Sequence, residues 1–405
     1  MFASSGIAEH ASVAIAVRNA FRNASDSLRE PLSCIFLFVS GDALAAQASA
    51  IRSMLDEIAP NIPVFGCSAE SILGTGREIE GQSAASIMLL GGLTSPPNIF
   101  PLECLKTPDG PTVLGYNDEI IAAAHQCNGL MVVGCPMTFA IDMLADALEP
   151  ARGQPVVPIL GGYCSSQNWD SANLLFCNDR LLSQGGVGLV LPPELQWQTI
   201  VSQGCRPIGE PMIITSLDGD VILGLGGRPA LQMLKDMFHK LPTHERAMAI
   251  EALLIGRAIT EYSDTFSHGD FLIRNVQGVD EEVGGVIVTD RFQVGQTIRF
   301  HVRDAAGADS DFTTLLNRLN RGEMEKKACL VFSCNGRGHR MFARPNHDAL
   351  AIDQSFPGLP ITGFFAAGEF APVGNRNLTH GFSAVAAFLS EVTRSDNTDL
   401  ENFLK

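Results

Sequence analysis

The chain has 405 residues, of which 46% are apolar and 18% charged, and its net charge at pH 7 is −16. This length and composition indicate a globular protein of two domains, and the acidic balance argues against nucleic acid as a partner. Because no apolar run approaches the roughly 20 residues of a membrane span and the first residues do not resemble a signal peptide, we expect a cytoplasmic protein without membrane contact.

One pattern recurs three times along the chain: a short apolar strand, a helical stretch, and a second strand that carries Pro-x-x-Gly. The three copies cover 34–70, 129–165 and 329–369. The Pro and Gly pairs are Pro63/Gly66, Pro158/Gly161 and Pro360/Gly363. Strands that are apolar throughout are buried on both faces, and the separation suits a βαβ crossover. Further strands at 84–90 and 186–191 make the sheets mixed. The predicted fold class is therefore α/β, with repeated βαβ units forming two mixed-sheet domains.

The pattern of apolar residues, glycines and prolines changes between the second and third copies. Glycine and proline interrupt a strand-like passage at 201–215, Asp218-Gly219 predicts a hairpin, and Pro229 predicts the start of a helix. We place the domains at 1–200 and 201–405 and expect each to keep its structure when separated. The apolar run 382–389 is interpreted as a helix, capped by Thr379 or Asn377.

Five motifs carry a family resemblance. They are VSQGCRPIGEP at 201–211, GGRPAL at 226–231, FSCNGRG at 332–338, GFFAAGEFAP at 363–372 and NRNLTH at 375–380. They resemble the FIST proteins, named for F-box and intracellular signal transduction, with an N-terminal FIST domain in 1–200 and a C-terminal FIST domain in 201–405. The resemblance implies a sensory protein for small ligands, amino acids among them. No F-box or signalling output is recognisable in the chain, so we expect a signalling protein partner in trans.

The stretch SCNGRGHRM at 333–341 allows three interpretations. Cys334 near Arg337 and His339 could be an activated thiol nucleophile. The stretch could also be a turn beside a buried thiol. Between these lies a binding role, in which glycine backbone N–H groups, including that of Gly338, face an anion while Arg337 holds a carboxylate.

Further candidate ligand-binding residues follow the strands of the repeats. Glu369 is a carboxylate in an apolar segment, where it needs either a partner such as Arg337 or a ligand. The complete set of candidates is Cys334, Asn335, Arg337, Gly338, Glu369, Asn377, His380, Cys67 and Ser68. If Arg337 and Glu369 share a pocket, they suit a zwitterion such as an amino acid, and Arg337→Ala should weaken binding with little effect on stability.

Three functions compete on this basis. The first is a small-ligand sensor without catalytic activity, for an amino acid or similar small anion. The second is a thiol-dependent hydrolase or transferase that uses Cys334 with His339 or His380, and the third is an acidic scaffold for a signalling partner. We expect no cofactor and no metal, because no Cys or His residues show the spacing of a zinc site.

Overall fold

Three units of one topology and one inserted sheet make up the chain in the computed structural model, which describes residues 1–108, 110–148, 156–166, 173–261, 266, 270–374 and 376–392. The described strands form four sheets, and three of them combine parallel with antiparallel pairs. This confirms the predicted α/β class with mixed sheets. The helices in the described part of the chain are all too short or too polar to cross a bilayer.

The elements are as follows. Unit 1 contains β1 (Phe2–Glu9), α1 (Val13–Ser25), β2 (Leu32–Ser40), α2 (Leu44–Ile58), β3 (Val64–Ala69), β4 (Ser71–Gly74), β5 (Arg77–Glu80) and β6 (Ala84–Gly91). Unit 2 contains β7 (Asn98–Thr107), β8 (Gly110–Leu114), α3 (Asp118–Gln126), β9 (Leu130–Gly134), α4 (Ile141–Ala147), β10 (Ile159–Tyr163), β11 (Leu175–Cys177), β12 (Arg180–Leu182) and β13 (Gly186–Val190).

Unit 3 begins with β14 (Leu195–Gln203) and is then interrupted by the inserted sheet. The insertion contains β15 (Cys205–Asp218), β16 (Val221–Leu225), β17 (Arg228–Pro229), α5 (Ala230–Lys240), α6 (Thr243–Glu251), β18 (Leu253–Ala258), β19 (Phe271–Asp280), β20 (Gly285–Val288) and β21 (Thr297–Arg303). Unit 3 resumes with α7 (Ala305–Asn320), β22 (Ala328–Cys334), α8 (His347–Ser355), β23 (Ile361–Ala366), β24 (Glu369–Val373), β25 (Arg376–His380) and β26 (Ser383–Glu391).

Each unit contains the predicted βαβ crossover. The first and second strands of each copy pair in parallel, as β2 with β3, β9 with β10 and β22 with β23. A return strand, β6, β13 or β26, then pairs antiparallel with the first strand of the crossover, and the strand that opens the unit, β1, β7 or β14, pairs with the return strand. The three units are therefore related by their strand order as well as by sequence.

The glycine of Pro-x-x-Gly has the same role in all three units. Gly66, Gly161 and Gly363 lie opposite Leu37, Val132 and Val331 of the neighbouring parallel strand. A Cβ atom at these glycines would lie 1.7, 1.8 and 2.0 Å from the carbonyl oxygen of the facing residue. Only glycine allows the two backbones to approach this closely, which explains why the motif recurs.

The units exchange hairpins in a ring. Hairpin β4–β5 of unit 1 pairs with β23 of unit 3, hairpin β24–β25 of unit 3 pairs with β10 of unit 2, and hairpin β11–β12 of unit 2 pairs with β3 of unit 1. The three motif glycines face Leu73, Phe370 and Phe176 of the incoming hairpins. The hairpins were not predicted from the sequence. Their pairing crosses residue 200 in both directions, which argues against halves that fold alone.

The inserted sheet has strand order β15-β21-β18-β19-β20-β16-β17 and its own apolar core, which includes Ile255, Val286 and Phe300. It lies between the edge strand and the first helix of unit 3. In unit 2 the same position holds only β8, and in unit 1 the chain passes directly from β1 to α1. The predicted hairpin at Asp218-Gly219 is confirmed, since it joins β15 to β16, and Pro229 precedes α5 as expected.

One predicted element is wrong. The run 382–389, interpreted as a helix, is strand β26, which lies between β14 and β22 and is buried along most of its length. A run that is apolar throughout shows neither the period of a helix nor that of a strand. The sequence pattern therefore could not distinguish a buried strand from a helix at 382–389. Asn377 and Thr379 lie in β25 and cap no helix.

Candidate functional site

The segment SCNGRGHRM is a tight turn after β22. The N–H group of Arg337 donates to the carbonyl oxygen of Cys334 at 2.8 Å, and a single 3₁₀ turn follows at Gly338–Arg340. Gly338 has φ +58°, and a Cβ there would lie 2.5 Å from Oε2 of Glu80. Glycine at this position therefore allows both the left-handed backbone and the close approach of a carboxylate from unit 1.

Arg337 forms a fully buried ion pair that the sequence did not predict. Its Nε and Nη2 atoms donate to Oδ2 and Oδ1 of Asp348, in the first turn of α8, at 2.8 and 2.7 Å. The guanidinium lies over the rings of Phe312 and Phe342, and neither charged side chain is more than 1% exposed. Burial is the largest single effect on the pKa of Asp348 and would raise it, but the charges and hydrogen bonds of Arg337 and His347 together lower it well below its usual value. The pair contradicts our expectation that Arg337→Ala leaves stability unchanged.

A sequence signal for Asp348 existed. Asp348 is followed by Ala349 and Ile352, and all three are buried on one face of α8. An aspartate on the apolar face of a helix indicates a buried partner, most favourably a cation. The number of arginines in the chain, and the unknown position of the helix, prevented the assignment from sequence.

Glu369 is a second buried carboxyl group of the site. Its side chain is 0% exposed, and its Oε2 atom accepts hydrogen bonds from the hydroxyl and N–H groups of Ser383 at 2.6 and 3.3 Å. Burial raises the pKa of Glu369 to about 8, although Ser383 and the charge of Arg337 partly oppose this. Glu369 is therefore mostly protonated at neutral pH.

Two polar atoms of this cluster are buried without a hydrogen-bond partner among the described residues. They are Nη1 of Arg337 and Oε1 of Glu369. A Cβ on Gly204, between β14 and the inserted sheet, would lie 3.4 Å from Nη1 of Arg337 and 2.4 Å from the carbonyl oxygen of Phe382. Phe382 itself has φ +59°, an uncommon conformation for a bulky residue, and it directly precedes Ser383. The site thus combines unsatisfied polar atoms with a strained backbone.

The Cys334 thiol lies in the same cluster but is not activated. Burial, and then the charge of Glu369, raise its pKa to about 12, so it is a thiol and not a thiolate at neutral pH. The sulfur accepts from the N–H groups of Phe382 at 3.2 Å and Gly336 at 3.5 Å. The two histidines considered as general bases for Cys334 form hydrogen bonds with other groups. His339 contacts Glu80, and His380 contacts the carbonyl oxygen of Ala371. These contacts do not favour a nucleophile at Cys334.

The remaining candidates are distributed over the ring of units. Asn335 belongs to the turn and its N–H group donates to Ala366. Asn377 uses its side chain to bridge the N–H group of Ile159 and the carbonyl oxygen of Val157. Ser68 exchanges hydrogen bonds with Leu174, beside the buried Cys67. The structure therefore brings Cys334, Arg337, Gly338 and Glu369 together, and places Asn377, His380, Cys67 and Ser68 in other contacts.

Acidic residues of unit 1 hold the turn and α8. Oε1 of Glu78 accepts from the N–H groups of Asp348 and Ala349 at 2.8 and 3.0 Å. Glu80 accepts from the N–H group of His339, and Glu70 pairs with Arg340 at 2.6 Å. Burial and the neighbouring Asp348 carboxylate raise the pKa of Glu78 to about 7. The hairpin β4–β5 thus couples unit 1 to the residues that position Arg337. No three His, Cys, Asp or Glu side chains of the described ranges are arranged to share a metal ion.

Protonation of Glu369 predicts a pH dependence of stability. Its pKa in the folded chain, about 8, is above the unfolded reference of 4.5, so its stabilising contribution is present below pH 4.5 and is lost as the pH rises to 8. Relative to Glu369→Gln, the wild type should lose on the order of 1 kcal/mol of unfolding free energy per pH unit between pH 6.5 and 8. Burial lowers the pKa of His380 to about 4. The contribution of His380 to stability therefore rises with pH between about 4 and 6.5 and is constant above pH 6.5.

Urea denaturation of both proteins at several pH values measures this difference. Glu57→Gln, which changes an exposed glutamate of a surface ion pair, is the control and should follow the wild type. If the free energies of unfolding of the wild type and Glu369→Gln changed with pH in the same way, Glu369 would be ionised at neutral pH.

Comparison with known proteins agrees with the resemblance seen in the motifs. The FIST N domain profile matches residues 33–228 and the FIST C domain profile matches residues 230–372. An uncharacterized protein of Mycobacterium bovis is 37% identical over 354 residues, which cover 87% of this chain and 88% of that protein. An uncharacterized protein of Mycobacterium tuberculosis is 34% identical over 377 residues, covering 92% and 96%. FIST domains are associated with sensing in signal transduction. The chain belongs to the FIST family.

Proposed function

We propose that the chain is a cytoplasmic small-ligand sensor of signal transduction, and that its ligand, an amino acid or similar small anion, binds between Arg337 and Glu369. One observation carries the proposal: Nη1 of Arg337 and Oε1 of Glu369 are both buried and both lack a hydrogen-bond partner among the described residues. Unsatisfied buried polar atoms are costly, so a ligand that bonds to both would recover that free energy.

The two atoms differ in the ligand groups they suit. Nη1 of Arg337 only donates, and it therefore favours a carboxylate or another anion. Oε1 of Glu369 accepts when the side chain is ionised, and an ammonium group would favour that form. A zwitterion satisfies both atoms, with its carboxylate on Arg337 and its ammonium on Glu369. Because Glu369 is mostly protonated at neutral pH, binding of a zwitterion should release a proton.

The contacts around the site support a sensory role. Asp348 fixes Arg337, and Glu78 of unit 1 binds the N–H groups at the start of the same helix. A ligand that shifts Arg337 would therefore act on the hairpin of unit 1 through α8. A signalling protein acting in trans would then recognise the changed surface.

A thermal-shift screen of amino acids and small carboxylates tests the proposal. We expect at least one compound to raise the melting temperature of the wild type, and its affinity for Glu369→Gln to fall about tenfold or more, since a charge-assisted hydrogen bond is lost. Glu57→Gln is the matched control. A compound that binds wild type and Glu369→Gln equally well would place the ligand elsewhere.

A further inference from the structure

A cavity lined in part by Phe382 lies between the inserted sheet and unit 3. Its volume of about 510 Å³ is within the range of small-molecule sites. The wall comes from α5, α6, β18 and β19, and it carries the polar side chains of Glu251 and Asn275 as well as apolar ones. Its apolar side chains include Leu234, Ala249, Ile250, Leu254, Val276 and Val279. Ile250 is 74% exposed and Val279 is 41% exposed, so this wall presents apolar surface to solvent.

Arg303 and Phe382 form the inner end of the cavity. Arg303 is the last residue of β21 and is half-buried. Its Nη2 atom donates to the carbonyl oxygens of Gly336 and Arg340, and its guanidinium lies 5.6 Å from the centre of the Phe382 ring. Both of these hydrogen bonds use Nη2, so no described residue accepts a hydrogen bond from Nε or Nη1 of Arg303.

Arg303 takes part in none of the ion pairs formed by the described residues. Arg206, which follows Cys205, the residue paired with Arg303 on the neighbouring strand, is different, because it pairs with Glu245 at 2.7 Å and with Asp304 at 2.9 Å. A half-buried arginine that keeps two donor positions in a cavity with exposed apolar side chains such as Ile250 and Val279 is suited to an anion with an apolar body.

We propose that this cavity binds an organic carboxylate with an apolar body. The carboxylate bonds to Nε and Nη1 of Arg303, and the apolar body covers Ile250 and Val279. The cavity is separate from the Arg337 and Glu369 cluster, and the inference does not depend on a ligand binding there. Arg303 donates a hydrogen bond to Gly336 of the SCNGRGHRM turn. A ligand bound to Arg303 would therefore also affect the position of that turn.

Octanoate is the probe for a calorimetric titration of the full chain. Acetate carries the charge without the apolar body, and octanamide carries the body without the charge. We expect saturable binding of octanoate, and binding at least about tenfold weaker for acetate and for octanamide, because each lacks one of the two interactions.

Two variants locate the binding. Arg303→Gln should weaken octanoate binding about tenfold or more, and Arg206→Gln is its matched control. Ile250→Ser changes an exposed side chain that folding does not require, and it should weaken binding several-fold. Glu369→Gln should leave octanoate binding unchanged, which separates this inference from the proposed zwitterion site. Absence of octanoate binding to the wild type, or equal binding to Arg303→Gln and Ile250→Ser, would overturn the proposal.

Discussion

Neither 1–193 nor 194–405 should fold when it is produced alone. The cut precedes β14, so each fragment keeps its own crossovers. Each nevertheless loses a hairpin that completes one of its sheets: β24–β25 is removed from β10, and β4–β5 is removed from β23. The exposed strands are apolar and buried on both faces in the intact chain, so the separated fragments should aggregate or remain unfolded.

Circular dichroism and urea denaturation of the separate and combined fragments test this. Mixing the two fragments during refolding should restore one cooperative transition. The control is 205–303, the inserted sheet, whose strands pair with one another around a core of their own and which should fold alone. Cooperative unfolding of 1–193 and of 194–405, each measured alone, would show that the hairpin exchange is dispensable.

Arg337→Ala should lower the free energy of unfolding by about 3–5 kcal/mol. The substitution removes the arginine from Asp348 and leaves this buried carboxylate with only Ser333 and His347 as side-chain partners, and breaking a buried pair in this way is strongly destabilising. The packing of the guanidinium against Phe312 and Phe342 is lost as well. The size of this effect makes Arg337→Ala unsuitable for measuring ligand affinity, so Glu369→Gln is the better probe of the site.

Urea denaturation at pH 7 measures the effect. Arg18→Ala is the control, because its pair with Glu57 is exposed and its loss should cost about 1 kcal/mol or less. The double variant Arg337→Ala/Asp348→Ala should be destabilised by less than the sum of the single variants, since it leaves no charge unpaired. A loss for Arg337→Ala as small as that for Arg18→Ala would mean that solvent reaches Asp348.

The sequence was sufficient for the repeated units because their signals are local. Apolar strands separated by a helical stretch and followed by Pro-x-x-Gly identify a crossover, and the three motif glycines lie against the facing strand as backbone contact requires. The hairpins joining one unit to the next could not be predicted in the same way. Strands of three to five residues, such as β4 and β11, carry little pattern, and their partners are far away in sequence.

The site was predicted in part for the same reason. Cys334, Arg337 and Glu369 follow strands of one crossover, so their proximity could be inferred. Asp348 lies in the crossover helix and Glu78 in a hairpin from another unit, and only the fold brings them to Arg337. His380 and Asn377 follow the same motif in sequence, yet β25 directs them to backbone groups of β24 and unit 2.

A crystal structure of the protein with a compound that raises its melting temperature tests the central claim most directly. The proposal predicts a ligand whose atoms lie within hydrogen-bond distance of both Nη1 of Arg337 and Oε1 of Glu369, with the Arg337–Asp348 pair intact. A ligand that contacts neither atom, with ordered water bonded to both of them instead, would contradict it.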